Sequence, residues 1–207
     1  MHVVKLAIEV DADYLFWIDD DTICPPDAFP RLFKTLKDRS AAMVTGHYFR
    51  RGWPYHCVWA KYFGSDLTPL PADAGSGVHE LDFCGLGCAL VDFRWLVKNV
   101  KAPYFTMMMD DKSACTDVTD DQTFCRKIRE AGGLILGDAD VDCEHLGRRT
   151  PISRKNVDFL RKIAIQEQGE QDGNDNRIEP GGGQKSEAVE PVCEGSGREG
   201  TLTGADA

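Results

Sequence analysis

The sequence predicts an α/β domain in which short apolar strands alternate with amphipathic helices. Three stretches carry that expectation. Tyr14–Ile18 is an unbroken apolar run, too short for a helix and flanked by acids, and reads as a central strand with both faces covered. Residues 27–40 place Phe29, Leu32, Phe33 and Leu36 at i, i+3, i+4 and i+7, one face of a helix. Residues 119–133 hold a second such stripe in Phe124, Cys125, Ile128 and Ala131.

The remaining elements follow in order. Val3, Leu6, Ala7 and Val10 are helically spaced, so residues 1–10 read as the last turns of a helix. In the helix over 27–40, Asp27 can cap the start, Pro30 fits the first turn and lysines gather near the end. Residues 42–49 have strand composition. Residues 51–80 mix aromatics with Pro, Gly and Ser and read as a strand or two followed by a flexible loop. Residues 81–91 set Gly85 and Gly87 inside apolar surroundings, and a short helix is predicted at 93–100. Thr119 or Asp120 can cap the next helix, with Asp121 in its first turn and Gly132 or Gly133 supplying the stop. Residues 134–136 and 141–143 are candidate short strands. Past Gln166 periodicity is lost and large apolar side chains become rare. The expected organisation is therefore a folded domain over 1–165 and a disordered Gly/Glu-rich tail over 166–207.

Composition narrows the function classes. The 207 residues are 42% hydrophobic and carry a net charge of −10, but ten acids and three bases lie from Gln166 onward. The part before it holds 24 acids and 21 bases, so it offers no basic platform for nucleic acid. Eight cysteines include no C-x-x-C pair, and most read as small reduced core residues. No apolar stretch approaches the ~20 residues of a spanning helix. The N-terminus is too short and acidic for a signal peptide. A cytoplasmic protein is expected, working with a partner chain or beside a membrane it does not enter.

Four groups of residues could carry chemistry. Asp19-Asp20-Asp21 follow the strand at 14–18, and open α/β sheets bind ligands beyond the C-terminal ends of their strands. In an extended chain Asp19 and Asp21 share a face and could hold Mg²⁺ or Mn²⁺; the same acids could equally form a polar turn. Asp120 and Asp121 suit either a helix N-terminus or a general base. His145, after a strand and before a Gly-Arg-Arg turn, could join carboxylates on a metal or be structural. Arg148 and Arg149 could offer guanidinium groups to a diphosphate or be surface charge. Gly85 and Gly87 permit close approach of a ligand, or a bulge, but do not make a dinucleotide fingerprint.

In the order strand–"DDD"–helix, "DFCGLGCALV", "TDDQTFCRKIREAG" and "CEHLG", these pieces resemble the GT-A-fold glycosyltransferases, in particular the family-2-like inverting nucleotide-sugar transferases. The resemblance covers about residues 1–150. It implies a Rossmann-like mixed central sheet flanked by helices. It implies that Asp19 and Asp21 are the D-x-D acids, with His145 completing a Mn²⁺ or Mg²⁺ site. Asp19, Asp20, Gly85, Gly87 and Arg148 would then meet the donor, a UDP- or GDP-linked sugar. Asp121 would be the base, with Asp120 supporting it or contacting a carbohydrate, lipid or protein acceptor. Trp53, Tyr55 and Trp59 could stack on a sugar or be core. One departure stands out: the strands that build the family's nucleoside pocket normally precede the D-x-D by more chain than is present, so an N-terminally truncated domain is expected. Two other readings stay open, a non-catalytic remnant or interaction module that cannot bind nucleotide alone, and a carboxylate-metal phosphohydrolase.

Overall fold

The computed structural model describes residues 2–63, 66–70, 75–106, 108–109, 116–147 and 150–175. After helix α1 (His2–Glu9) comes β1 (Tyr14–Ile18), then the two-residue β2 (Thr22–Ile23), helix α2 (Ala28–Arg39) and β3 (Met43–His47). A hairpin of β4 (Ala60–Phe63) and β5 (Asp66–Pro69) leads to β6 (Val78–Leu81), β7 (Cys88–Asp92) and helix α3 (Phe93–Asn99). The chain continues through β8 (Met108–Met109), β9 (Thr116–Val118), helix α4 (Asp120–Glu130), β10 (Ile135–Asp142), β11 (Glu144–Leu146), β12 (Pro151–Ile152) and helix α5 (Val157–Asp175).

The central sheet has the order β1-β7-β3-β10-β6 and is mixed, as the GT-A-like expectation requires. β3 and β10 are parallel, while β7 runs antiparallel to β1 and β3, and β6 antiparallel to β10. Hence β1, β3 and β10 all point one way. Their C-terminal ends share one edge of the sheet with the chain entering β7. The small sheet β12-β11-β2 lies at that edge.

Strand alternation assigns the two faces. Met43, Ala89, Val91 and Ile135 join one buried cluster with Val4 and Ala7 of α1, Leu96 of α3 and Phe124, Cys125 and Ile128 of α4. Their neighbours Val44, Cys88, Leu90 and Leu136 join the other, against Ala28, Leu32 and Leu36 of α2. Helices therefore cover both faces: α4 does so with the stripe its spacing predicts, α2 buries Leu32 and Leu36 but leaves Phe29 exposed, and α1 buries Val4 and Ala7 while Val3, Leu6 and Val10, read as its stripe, are exposed. The N-terminus of α4 is fixed by a capping box, in which the Thr119 hydroxyl accepts from Gln122 N–H and the Gln122 side chain accepts from Thr119 N–H. Gly132, at φ +80°, ends that helix.

Several expectations are corrected. Tyr14–Ile18 is a strand, but an edge strand: among the described residues β1 pairs only with β7, and its residues are half-buried rather than covered. Asp27 precedes α2 without a capping hydrogen bond, its carboxylate instead pairing with Arg31 at 2.7 Å. The two short strands expected at 134–136 and 141–143 are one eight-residue strand, β10, whose register against β3 shifts between Asp138 and Asp142. α5 continues to Asp175, ten residues into the expected tail; residues 176–207 lie outside the described ones.

Trp59 belongs to the core. It is fully buried, its indole N–H donates to the Gly46 carbonyl at 3.1 Å, and its ring fills the space over Gly137, where a Cβ would come within 2.6 Å. Gly137→Ala should therefore destabilise the fold by ~1–3 kcal/mol in urea unfolding, the usual cost of overpacking. Gly52→Ala, which meets nothing within 4 Å, should change stability by less than ~0.5 kcal/mol.

Candidate functional site

The β1–β7 ladder positions the acids. Ile18 faces Cys88 in the register, and Asp19 N–H donates to the Gly87 carbonyl at 3.1 Å, one rung beyond the strand. The chain then turns, with Thr22 N–H donating to the Asp19 carbonyl at 3.1 Å. Of the two readings, polar turn and extended segment, the triplet takes the turn, and Asp20 sits exposed within it. The turn still keeps Asp19 and Asp21 close enough to repel each other.

His145 meets Asp21. The imidazole follows β10 and lies in β11, paired across to Thr22 of β2. Its Nδ1 lies 2.6 Å from the Phe49 carbonyl, a contact that only an Nδ1–H can satisfy. Nε2 is thereby left facing Asp21 Oδ1 at 3.3 Å. A lone pair facing a carboxylate is stable only with a proton or a cation between them, so this donor set suits a divalent ion. The other Asp21 oxygen is held by Arg51 at 2.9 Å. Asp19, Asp21 and His145 stand wider than a closed coordination set. Among the described residues only Cys24, Cys88 and Cys143 bring three such donor atoms within 4.8 Å of one another.

Asp120 and Asp121, at the start of α4, line with Asp19 a cleft of about 350 Å³ whose other walls include Trp17, Leu86 and Phe105 and α1 residues Val3 and Val4. That volume suits a small-molecule site, apolar with a few convergent polar groups. A second cleft, of about 270 Å³ between α1 and α3, holds none of these acids. Burial raises the Asp121 carboxyl to about 6, helped by the charges of Asp120 and then Asp19. Partial burial also raises Asp19, with Asp21 and Asp20 adding to the effect and His145 and Arg51 opposing it. Asp120 accepts from the Asp121 N–H at 3.0 Å.

Gly85 and Gly87 make room for a residue the sequence did not single out. Tyr48 occupies the space where a Cβ on either glycine would sit, and Gly87 N–H donates to its hydroxyl at 2.8 Å. The Tyr48 ring packs edge-on against His145, with centroids 5.5 Å apart. It thus packs against the imidazole that faces Asp21. Arg51 is the other residue missed. A basic pair directly after an apolar strand is its only trace in the sequence. A further group links buried His47 to half-buried Asp142 and Arg154: Arg154 Nε donates to His47 Nδ1 at 3.2 Å and lies 3.6 Å from Asp142. Burial lowers the His47 pKa. Trp53 and Tyr55 meet edge to face with centroids 6.4 Å apart, away from the carboxylates. Arg148 and Arg149 lie outside the described residues.

The family described as glycosyl transferase family 2 matches over residues 5–98, from α1 through α3. The match supports a family-2-like glycosyltransferase domain over that stretch. Within it fall the Asp19–Asp21 turn and the Gly85–Gly87 segment; Asp120, Asp121 and His145 lie C-terminal to the matched stretch. A glycosyltransferase domain of this family points to glycosyl transfer in general, with a nucleotide-sugar donor and an acceptor as partners. Among solved structures, one described as "Crystal Structure of A197 from STIV" is similar at 18% identity and a TM-score of 0.47, over 72% of this chain and 71% of that one. No curated protein matches the chain. No helix among the described residues is long and apolar enough to cross a membrane.

The glycosyltransferase domain's acid cluster carries a testable cost. Folding raises the Asp121 carboxyl from 3.8 to about 6, so the folded state holds this proton more tightly than the unfolded chain. That contribution is full below pH ~4 and is lost as pH rises through about 6. Asp121→Asn removes the ionising group. The variant should be more stable than wild type by ~1–2 kcal/mol at pH 8, after allowing for partial exposure, with the difference vanishing below pH ~4 in denaturant titrations.

Proposed function

We propose that the chain is a metal-dependent inverting glycosyltransferase that moves a sugar from a UDP- or GDP-linked donor to an acceptor hydroxyl. The observation that supports this most is the meeting of Asp19, Asp120 and Asp121 in one apolar-walled cleft, with the Asp121 carboxyl raised to about 6. A carboxyl poised near neutrality can take a proton from an attacking hydroxyl and still be ionised at working pH. Asp121 is the base in this reading. Asp120, its own oxygen turned back to the Asp121 N–H, holds the base and meets the acceptor. Asp19, Asp21 and His145 would hold Mn²⁺ or Mg²⁺, which when bound neutralises charge on the departing diphosphate. Arg51 and the Phe49 carbonyl keep Asp21 and His145 turned toward each other. Attack from the side opposite the leaving group inverts the sugar's configuration.

A second reading rests on β1. With β7 as its only partner among the described residues, the strand leaves one side of the sheet open where base and ribose contacts would be expected. The domain would then keep the carboxylates but bind no nucleotide by itself. Calorimetry with Mn²⁺ and UDP separates the two, since this second reading expects no heat of binding.

Transfer from a panel of UDP- and GDP-sugars with Mn²⁺ tests the first reading. Asp121→Asn should lower turnover by ~10²–10⁴-fold. The wild-type kcat/KM should rise with pH through an acid limb near 6, the value to which Asp121 is raised. Turnover unchanged in Asp121→Asn removes the base from this residue.

A further inference from the structure

Outside the acid cleft, three thiols converge. Cys24 lies just after β2, Cys88 opens β7 and Cys143 sits between β10 and β11, yet their sulfurs all lie within 4.8 Å of one another. Cys88 and Cys143 are buried; Cys24 is half-buried, and all three are free thiols. Ordinary core packing explains a buried cysteine, and Cys57, Cys84 and Cys125 are of that kind, outside the cluster. It does not explain why three separate segments each contribute one sulfur to the same point. The site also has a way in, through half-buried Cys24, and Gly46 lets the Cys143 sulfur pack close over the backbone, where a Cβ would come within 3.0 Å of it.

The donor chemistry selects the ion. Thiolates are soft ligands that favour Zn²⁺ or Cu(I), whereas Mg²⁺ and Mn²⁺ prefer oxygen. Around tetrahedral zinc, with Zn–S near ~2.3 Å, neighbouring sulfurs sit ~3.8 Å apart. A separation of at most 4.8 Å therefore asks each sulfur to move by less than about 1 Å. No fourth His, Cys, Asp or Glu among the described residues joins the group, which leaves one coordination position for water or an added thiol.

The position of each cysteine gives the site a purpose. Cys24 is three residues beyond Asp21, Cys88 directly follows Gly87, and Cys143 is two residues before His145. Each sulfur thus sits on a segment that also carries a residue of the acid site. We propose that Cys24, Cys88 and Cys143 form a three-thiolate Zn²⁺ site that clamps together the three segments bearing Asp21, Gly87 and His145. On binding, the three thiols release their protons to solvent and become ligands; no electron is transferred.

Cadmium reports the site, because its thiolate complexes absorb in the ultraviolet through sulfur-to-metal charge transfer and its oxygen complexes do not. The full chain, reduced and stripped of metal, with Cys115 and Cys193 replaced by serine, is titrated with Cd²⁺ and then with Zn²⁺ in competition. One equivalent of Cd²⁺ should develop the band, Zn²⁺ should displace it, and Zn²⁺ should raise the melting temperature. Cys24→Ser, at a half-buried position that tolerates the change, should lose the band and the thermal shift. Asp21→Asn should keep the band, which separates the thiol site from the acid site. The proposal is overturned by the absence of a band in the parent chain, by a band persisting in Cys24→Ser, or by its loss in a folded Asp21→Asn.

Discussion

The hydrogen bond from Asp19 N–H to the Gly87 carbonyl extends the β1–β7 ladder by one rung past the last paired residues, Ile18 and Cys88. The rest of the site depends on this rung. It ends the strand at a defined residue, so that the turn to Thr22 begins where the sheet edge gives way to the cleft. Side chains alternate with period two, so a one-residue slip in this pairing would exchange Phe16 for Trp17 on the α2 side and turn the whole strand over. Phe16 packs with Phe29 of α2, at 5.5 Å between centroids, and Trp17 with Phe105 on the opposite face, also at 5.5 Å. These contacts hold the register, and the register places the carboxylate.

Four acids from two distant segments are then brought near one another, which costs electrostatic energy. The chain meets that cost unevenly. Asp21 has both oxygens engaged, by Arg51 and by His145. Asp19 and Asp121 are both pushed upward by burial and by their acidic neighbours, an effect that His145 and Arg51 oppose at Asp19 alone. The same crowding that burdens the cleft makes it receptive to a cation or a proton. Perturbed carboxylates in a cleft are a signature of sites that use them.

Local chemistry was legible in the sequence; pairing over distance was not. The stripe and stop of α4 follow from residues within a dozen positions, and Thr119 was one of the two caps considered. The same local reading failed at Asp27, because Arg31 one turn later competes for its carboxylate. That Tyr14–Ile18 is a strand is written in its composition. That it lies at an edge depends on β7, some seventy residues onward, and no local pattern encodes that. The glycines of "GLG" were visible, but the reason for them lies in Tyr48, just past the end of β3, whose ring needs their missing side chains. That His145 follows a strand is legible, but the strand that carries it is not, since three residues give no periodicity to read.

The outward side of β1 is a row of backbone groups with no ladder partner among the described residues, under the apolar run Tyr-Leu-Phe-Trp-Ile. Such a row is a template for another extended segment. Asp13 precedes the run and Asp19 to Asp21 follow it, so like charges guard both ends against stacking of one copy on the next. Acidification or a tightly held cation would weaken that guard. The acids that border the cleft therefore also border this open edge, so a change in their charge bears on both at once.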